Sequence, residues 1–231
     1  MKKTSLITAI CLSFMVFNSA MAIEIEIWRY KVKPGHMQEA VELFEEALVL
    51  AEEAGRNTGI AQQTLGKDGE FIFHWYDIYN SVEERAQPII DEKYLKYLDK
   101  FYASDAISTE RSYQMTMIDD QLCNNPEVIS VYVWKPKPGM FNETVEEFKA
   151  SKVFFEKHGW EIDLWQEGMG GRDNLQFVMC SKSYAENANS IASLNADEEW
   201  LAGNPLTPLW NSDSENSDLM ASFELTPIII D

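Results

Sequence analysis

The sequence predicts an α+β fold in which one β-α-β-β-α-β unit is used twice and the two copies pack sheet against sheet. Three observations predict it. Residues 25–55 match residues 129–159 at an offset of 104, with 12 of 31 positions identical, where unrelated chains of ordinary composition would share about two. Each copy switches from a two-residue to a three-to-four-residue apolar period across a Lys-Pro-Gly turn, at Lys33-Pro34-Gly35 and Lys137-Pro138-Gly139. A polar stretch, 119–128, containing Asn124-Asn125-Pro126, separates the copies and reads as a linker.

Each copy opens with a strand. Ile23, Ile25 and Ile27 alternate with Glu24, Glu26 and Trp28 in the first, and Ile129, Val131 and Val133 with Ser130, Tyr132 and Trp134 in the second. Proline cannot donate to a ladder, so Pro34 and Pro138 end these strands. Met37, Val41, Phe44, Leu48 and Ala51 then recur at helical spacing, as do Phe141, Val145, Phe148 and Phe155. Gly55 and Gly159 terminate the two helices. Two short strands follow in each copy, about 60–65 with 70–76 and 164–167 with 175–180, joined by turns at Gly66–Gly69 and Gly168–Asp173. A second helix is expected to reach Tyr102 with Ile89, Tyr94, Leu95 and Leu98 as anchors, kinked or restarted at Pro88. Closing strands fall at 113–118 and 221–225, which match after a six-residue insertion.

This element order is the ferredoxin-like unit. One such unit leaves a bare sheet face, and a tandem copy covers it at high effective concentration. With its Trp28–Gly35 and Val131–Gly139 segments each feeding an acidic amphipathic helix, the chain resembles the dimeric α/β barrel superfamily. The resemblance is in particular to tandem-repeat members of the NIPSNAP-like and antibiotic-biosynthesis-monooxygenase-like groups. It implies an intrachain barrel, with a first repeat at 23–118 and a second at 129–231.

Lys2-Lys3, an apolar stretch at 6–17 and Ala20-Met21-Ala22 read as a signal peptide over residues 1–22, so the protein is expected in a periplasm or secreted. The chain carries a net charge of −19. Such a surface repels phosphate backbones and anionic lipid, so neither nucleic acid nor membrane insertion of the mature chain is expected. Cys123 and Cys180 remain after processing and form a possible disulfide. The expected state is a monomer with internal pseudo-twofold symmetry or a higher homo-oligomer.

On the third strand of the first copy, Phe71, Phe73 and Trp75 are expected to carry the helices, which turns His74 and Tyr76 to the space between the sheets. With Ile25, Ile27, Val131 and Val133 placed under the helices, Trp28, Tyr30, Tyr132 and Trp134 join them there. These residues make a candidate pocket for a small apolar or aromatic ligand, with His74 as its proton-handling residue. The competing reading makes them the inter-sheet core. His36 reads as a helix-start residue and His158 as a helix-end residue; the histidines lack ligand spacing, and no metal is expected. Acidic pairs such as Glu45/Glu46 fall on solvated helices, which argues against paired-carboxylate hydrolysis.

Haem-binding relatives of the fold use a histidine from the second helix or its surroundings. Residues 89–94 and 193–200 hold none, so no cofactor is expected. Cofactor-free quinol-type monooxygenases of the fold rely on a substrate that itself reacts with oxygen. The segment 195–218, with Trp200, Pro205, Pro208 and Trp210, reads as a flap over the barrel or a loop pinned by its tryptophans. The leading expectation is an exported small-molecule-binding barrel with no evident catalytic set. Its alternatives are a cofactor-independent monooxygenase-like enzyme for an aromatic or quinol-type substrate, and a structural or protein-interaction module.

Overall fold

The computed structural model describes residues 22–66, 70–88, 91–119, 122–203, 206, 210 and 214–228. The expected leader up to Met21, the turn residues 67–69, the anchor Ile89, and Pro205, Pro208 and 211–213 of the expected flap lie outside them. The first repeat runs β1 (Glu24–Val32), α1 (Met37–Glu53), β2 (Thr58–Leu65), β3 (Phe71–Tyr79), α2 (Val82–Arg85), α3 (Glu92–Ala103) and β4 (Ile107–Met117). The second runs β5 (Val128–Pro136), α4 (Phe141–Glu156), β6 (Glu161–Glu167), β7 (Leu175–Ser181), α5 (Tyr184–Asn195), α6 (Glu198–Leu201) and β8 (Ser217–Pro227).

Local chemistry sets these boundaries. Gly55 and Gly159 hold φ of 73° and 106°, a region that side chains resist, and so end α1 and α4. Beyond Pro88 the second helix restarts, capped by Asp91, whose carboxylate accepts from the Tyr94 amide at 2.7 Å. Asp197 caps α6 in the same way through the Trp200 amide.

The two copies do more than face each other. Strand β2 pairs with β8 and β4 pairs with β6, both antiparallel, closing a barrel of order β1-β3-β2-β8-β5-β7-β6-β4. Every strand is therefore flanked on both sides, and closure removes the sheet edges that a sandwich would expose. Three cores result. One lies between α1, α3 and the outer sheet face of the first repeat, around Phe44, Phe73 and Phe101. A second repeats this in the other half around Trp134, Phe148 and Phe177. The third lines the barrel interior, with Ile25, Ile27, Met115, Val131, Val133, Val178 and Leu225.

That interior list corrects one sequence expectation. The inward face of β1 and β5 carries Ile25, Ile27, Val131 and Val133, and the outward face carries Trp28, Tyr30, Tyr132 and Trp134. Both faces of these strands are covered, so polarity does not tell them apart; size does. The rings fill the deep gap beneath the helices, where Tyr30 meets Phe44 at 5.6 Å and Phe101 at 5.4 Å, and Trp134 meets Phe148 at 6.3 Å. Cross-strand pairing carries the same information. Tyr30 lies opposite Phe73 and Tyr132 opposite Phe177, and directly opposed residues share a face.

Of the two readings of the segment 195–218, the placement of its tryptophans favours the pinned loop over the flap. Trp210 packs against Phe155 and Phe177 at 4.8 and 4.9 Å, and Trp200 stacks on Phe154. Both indoles belong to the helix-side core of the second repeat and not to the barrel interior. No helix among the described residues is long and apolar enough to cross a membrane.

Candidate functional site

The barrel interior holds a cavity of about 500 Å³. Its walls are aliphatic and aromatic: Ile25, Ile27, Met115, Val131, Trp165 and Phe223 among others. Such a space suits a small apolar or aromatic molecule. At one end the linker residues Leu122, Cys123, Asn125 and Pro126 form the rim. Toward the other, β1 continues its inward face with Arg29 and Lys31, which pair with Glu110 at 3.2 Å each. Arg111 pairs with the buried Glu167, also at 3.2 Å.

Polar side chains interrupt the apolar wall, among them His74, Tyr76, Tyr113, Asp163 and Gln176. His74 and Tyr76 alternate with Phe73 and Trp75 on β3, so their inward aim follows from the strand's two-residue period. Gln63 fixes the imidazole. Its amide nitrogen donates to the carbonyls of Leu65 and Gly66, which leaves its oxygen facing His74 Nε2 at 3.1 Å. His74 Nε2 must then carry the proton and donate. Burial, with the Arg29 guanidinium adding to it, pushes the His74 pKa down to about 3. The ring is therefore neutral across the physiological range and a weak base. Burial raises the Tyr76 and Tyr113 hydroxyls above their ordinary range, so both remain protonated donors.

Asp163 stands opposite Val178 on β7, beneath the linker. It is 5 % exposed, and its Oδ1 has no hydrogen-bond partner in the protein. Burial pushes its carboxyl up to about 7; the backbone amide of Cys123 and the Lys152 ammonium oppose that rise, and the Asp119 and Glu161 carboxylates add to it. Cys123 and Cys180 are joined, with their Cα atoms 6.1 Å apart. Their sulfurs and the Asp163 carboxylate lie within 4.8 Å of one another. While the sulfurs are bonded to each other, this cluster offers a metal only the carboxylate.

The structure thus brings His74 and Tyr76 to the cavity wall together with Tyr113, Asp163 and Gln176, which the sequence reading did not single out. Their signal was available only by parity: Asp163 and Gln176 fall on strand positions that face inward once β6 and β7 are paired. Trp28, Tyr30, Tyr132 and Trp134 do not reach the cavity. His36 sits at the start of α1, with Glu39 at 3.0 Å. His158 lies between Ser193 and Asp197 on the helix side of the second repeat.

No family model matches this chain, and no curated protein does. Solved structures do. A candidate monooxygenase from Fusobacterium nucleatum superposes with a TM-score of 0.62 at 12 % identity, over 91 % of this chain and 94 % of that one. A candidate chlorite dismutase gives 0.55 at 9 % identity, over 90 % and 96 %. A mutant chlorite dismutase from Candidatus Nitrospira defluvii gives 0.54 at 7 % identity, over 90 % and 92 %. At these identities the likeness is one of fold. The chain has the ferredoxin-like barrel fold that these structures share.

Two expectations are corrected here. The barrel with no evident catalytic set gives way to one whose interior brings Asp163 together with Cys123 and Cys180, in a fold shared with a candidate monooxygenase and chlorite dismutases. The periplasmic or secreted placement rested on the first 22 residues alone. The fold built by the described residues is the one shared with the monooxygenase and the chlorite dismutases, and that likeness does not support export.

Haem is the cofactor that such a fold group brings into question, and the residues present do not fit it. A haem needs an axial ligand with access to its plane. His74 is 3 % exposed and donates through Nε2 to Gln63. His158 is held between a serine and an aspartate, and the sheet-to-helix space beside it is filled by Trp200 and Phe154. Among the described residues lining the cavity there is no lysine or arginine to meet propionates.

Proposed function

We propose that this protein is a cofactor-independent monooxygenase-like enzyme, of the antibiotic-biosynthesis-monooxygenase-like kind, that acts on an aromatic or quinol-type substrate inside the barrel. The observation that carries this reading is the interior cavity of about 500 Å³, apolar on its walls and bearing a few convergent polar groups. The likeness of fold to a candidate monooxygenase supports it. A neutral, flat substrate fits a lining with aromatic and aliphatic walls and no cation.

The reaction class is the insertion of one oxygen atom from dioxygen. For 1,4-naphthoquinol and O2, the products are 2-hydroxy-1,4-naphthoquinone and water; the substrate supplies all four electrons, one oxygen atom enters the ring and the other leaves as water. The protein's part is to hold the ring, exclude bulk water and place hydrogen-bonding groups at the substrate oxygens. With its Nε2 proton committed to Gln63, His74 offers a neutral ring that orients a substrate hydroxyl. Tyr76 and Tyr113 supply donors.

The test is oxygen uptake with 1,4-naphthoquinol, corrected for uncatalysed oxidation, together with mass spectrometry under 18O2. Protein-dependent uptake with one labelled oxygen in the product supports the reading. Uptake no faster than without protein across a panel of quinols and phenols overturns it.

A further inference from the structure

Asp163 is the one carboxylate among the described residues that line the cavity. Its position is unusual for an acid. It projects inward from β6 between apolar neighbours, roofed by the disulfide and the linker, and one of its oxygens finds no partner in the protein. A buried carboxylate left this way is costly unless something satisfies it. The surrounding charges do not. Lys152 on α4 is spent on Asp119 at 2.5 Å and on the Ile162 carbonyl at 2.8 Å, while Glu161 on the same strand is engaged by Lys182 at 3.3 Å and by the Asn124 amide at 2.8 Å. Two of the other polar wall groups have partners of their own: His74 pairs with Gln63, and Gln176 donates to Glu167 at 2.9 Å. Asp163 faces the cavity with acceptor capacity to spare.

We infer that Asp163 is the catalytic proton acceptor of this cavity, taking the hydroxyl proton of a bound phenol or quinol; the inference rests on the reading of the barrel interior as the substrate site. In that step the substrate O–H bond breaks, the proton goes to an Asp163 carboxylate oxygen, and the electron pair stays on the substrate oxygen. The resulting phenolate or quinolate is the electron-rich species that dioxygen, the co-substrate, oxidises. The other candidates are less suited. His74 is too weak a base, and the two tyrosines are already protonated. Burial also brings the Asp163 carboxyl to about 7, where a general base is effective near neutral pH. This assigns the ligand class as well: a neutral aromatic with at least one ionisable hydroxyl, since an anionic ligand would meet the Asp163 carboxylate at a wall whose described lining residues include no lysine or arginine.

Two measurements test it separately from the oxygenase reading. In the first, 1-naphthol is titrated into protein carrying 13C-carboxyl-labelled aspartate, with Asp163→Asn used to identify the resonance. A hydroxyl donating to the carboxylate favours its charged form, so the Asp163 titration midpoint should fall by about one pH unit or more. In the second, oxygen uptake with 1,4-naphthoquinol is followed against pH. Wild-type kcat/KM should rise through about neutral pH and level off, and Asp163→Asn should lose that limb together with about 100-fold or more of the rate, while still binding 1-naphthol by equilibrium dialysis, about tenfold more weakly than the ionised wild type because the charged acceptor is gone. Should naphthol move the Asp163 midpoint while no quinol drives oxygen uptake, the proton acceptor stands and the oxygenase reading falls. Naphthol that fails to bind, naphthol that binds without moving Asp163, or an active Asp163→Asn protein with the wild-type pH profile would each overturn the assignment.

Discussion

His74 donates its Nε2 proton to the Gln63 side-chain oxygen at 3.1 Å, and this contact sets the tautomer of the histidine on the cavity wall. The residue equivalent to Gln63 in the second repeat is Glu167, which accepts from Asn174, Gln176, Arg111 and the Arg172 amide. The two halves of the barrel thus use one position differently: a neutral amide beside a neutral ring in the first, and a fully satisfied carboxylate in the second.

Replacing Gln63 by Glu places an acceptor with negative charge against the ring. The His74 pKa, held at about 3 by burial and Arg29, should rise by more than one unit. Two-dimensional 15N spectra of the imidazole over pH read this directly; an unmoved ring would show that Gln63 does not govern it.

His74 and Asp163 act on stability with opposite signs. The folded pKa of His74 lies below its unfolded value of about 6.5, so the unfolded chain binds the extra proton and stability is lost as pH falls from about 6.5 toward 3. The folded pKa of Asp163 lies above its unfolded value of about 3.9, so the folded chain binds the extra proton and stability is lost as pH rises from about 4 to about 7. Between about pH 4 and 6.5 the two slopes oppose each other. Urea melts of Asp163→Asn should therefore gain stability steadily with pH across this window, and those of His74→Gln should lose it, each relative to wild type. Parallel curves for all three proteins would contradict the assignment of either group.

The bond between Cys123 and Cys180 closes a sequence separation of 57 residues. Chain-entropy arguments assign such a loop about 4 kcal/mol. A Cys123→Ser/Cys180→Ser protein should lose about 2–4 kcal/mol in denaturant melts. The linker rim over Asp163 should also loosen, read as faster amide exchange at Leu122–Asn125. A loss below about 1 kcal/mol would mean that the unfolded chain gains little from the release.

The reassignment of the strand faces separates two kinds of aromatic substitution. Trp134→Ala removes a fully buried indole from the helix-side core and should cost about 3–5 kcal/mol, while leaving 1-naphthol affinity within about twofold if the protein is folded. Gly59→Ala does the reverse. A Cβ there would come within 2.5 Å of the Tyr76 ring, which must swing toward the cavity, so naphthol affinity should fall about tenfold or more for a modest loss of stability. Equal effects of both changes on binding would return Trp134 to the ligand site.

Much of this architecture was legible in the residues. The 104-residue repeat, the Pro-Gly turns at 34–35 and 138–139 and the shift of apolar period gave the order of elements, because turns and amphipathic spacing are local properties of the chain. The inward aim of His74 and Tyr76 was legible for the same reason: Phe73 and Trp75 beside them fixed the strand's parity. Tyr30 and Trp134 were not legible in this way, since both faces of their strands are covered and only the depth of the gap beneath the helices decides which side takes the rings.

By itself, then, the sequence determined that one unit is built twice and that each half needs a cover for its sheet. Tertiary structure decided how that cover is made: β2 joins β8 and β4 joins β6, so two sheets become one closed wall around a cavity. It also decided which acid lines the cavity among the described residues. Asp163 is one of 38 acidic residues in the chain, and only the packing of β6 under the linker removes it from water, since desolvation depends on everything folded around a group and on nothing written beside it.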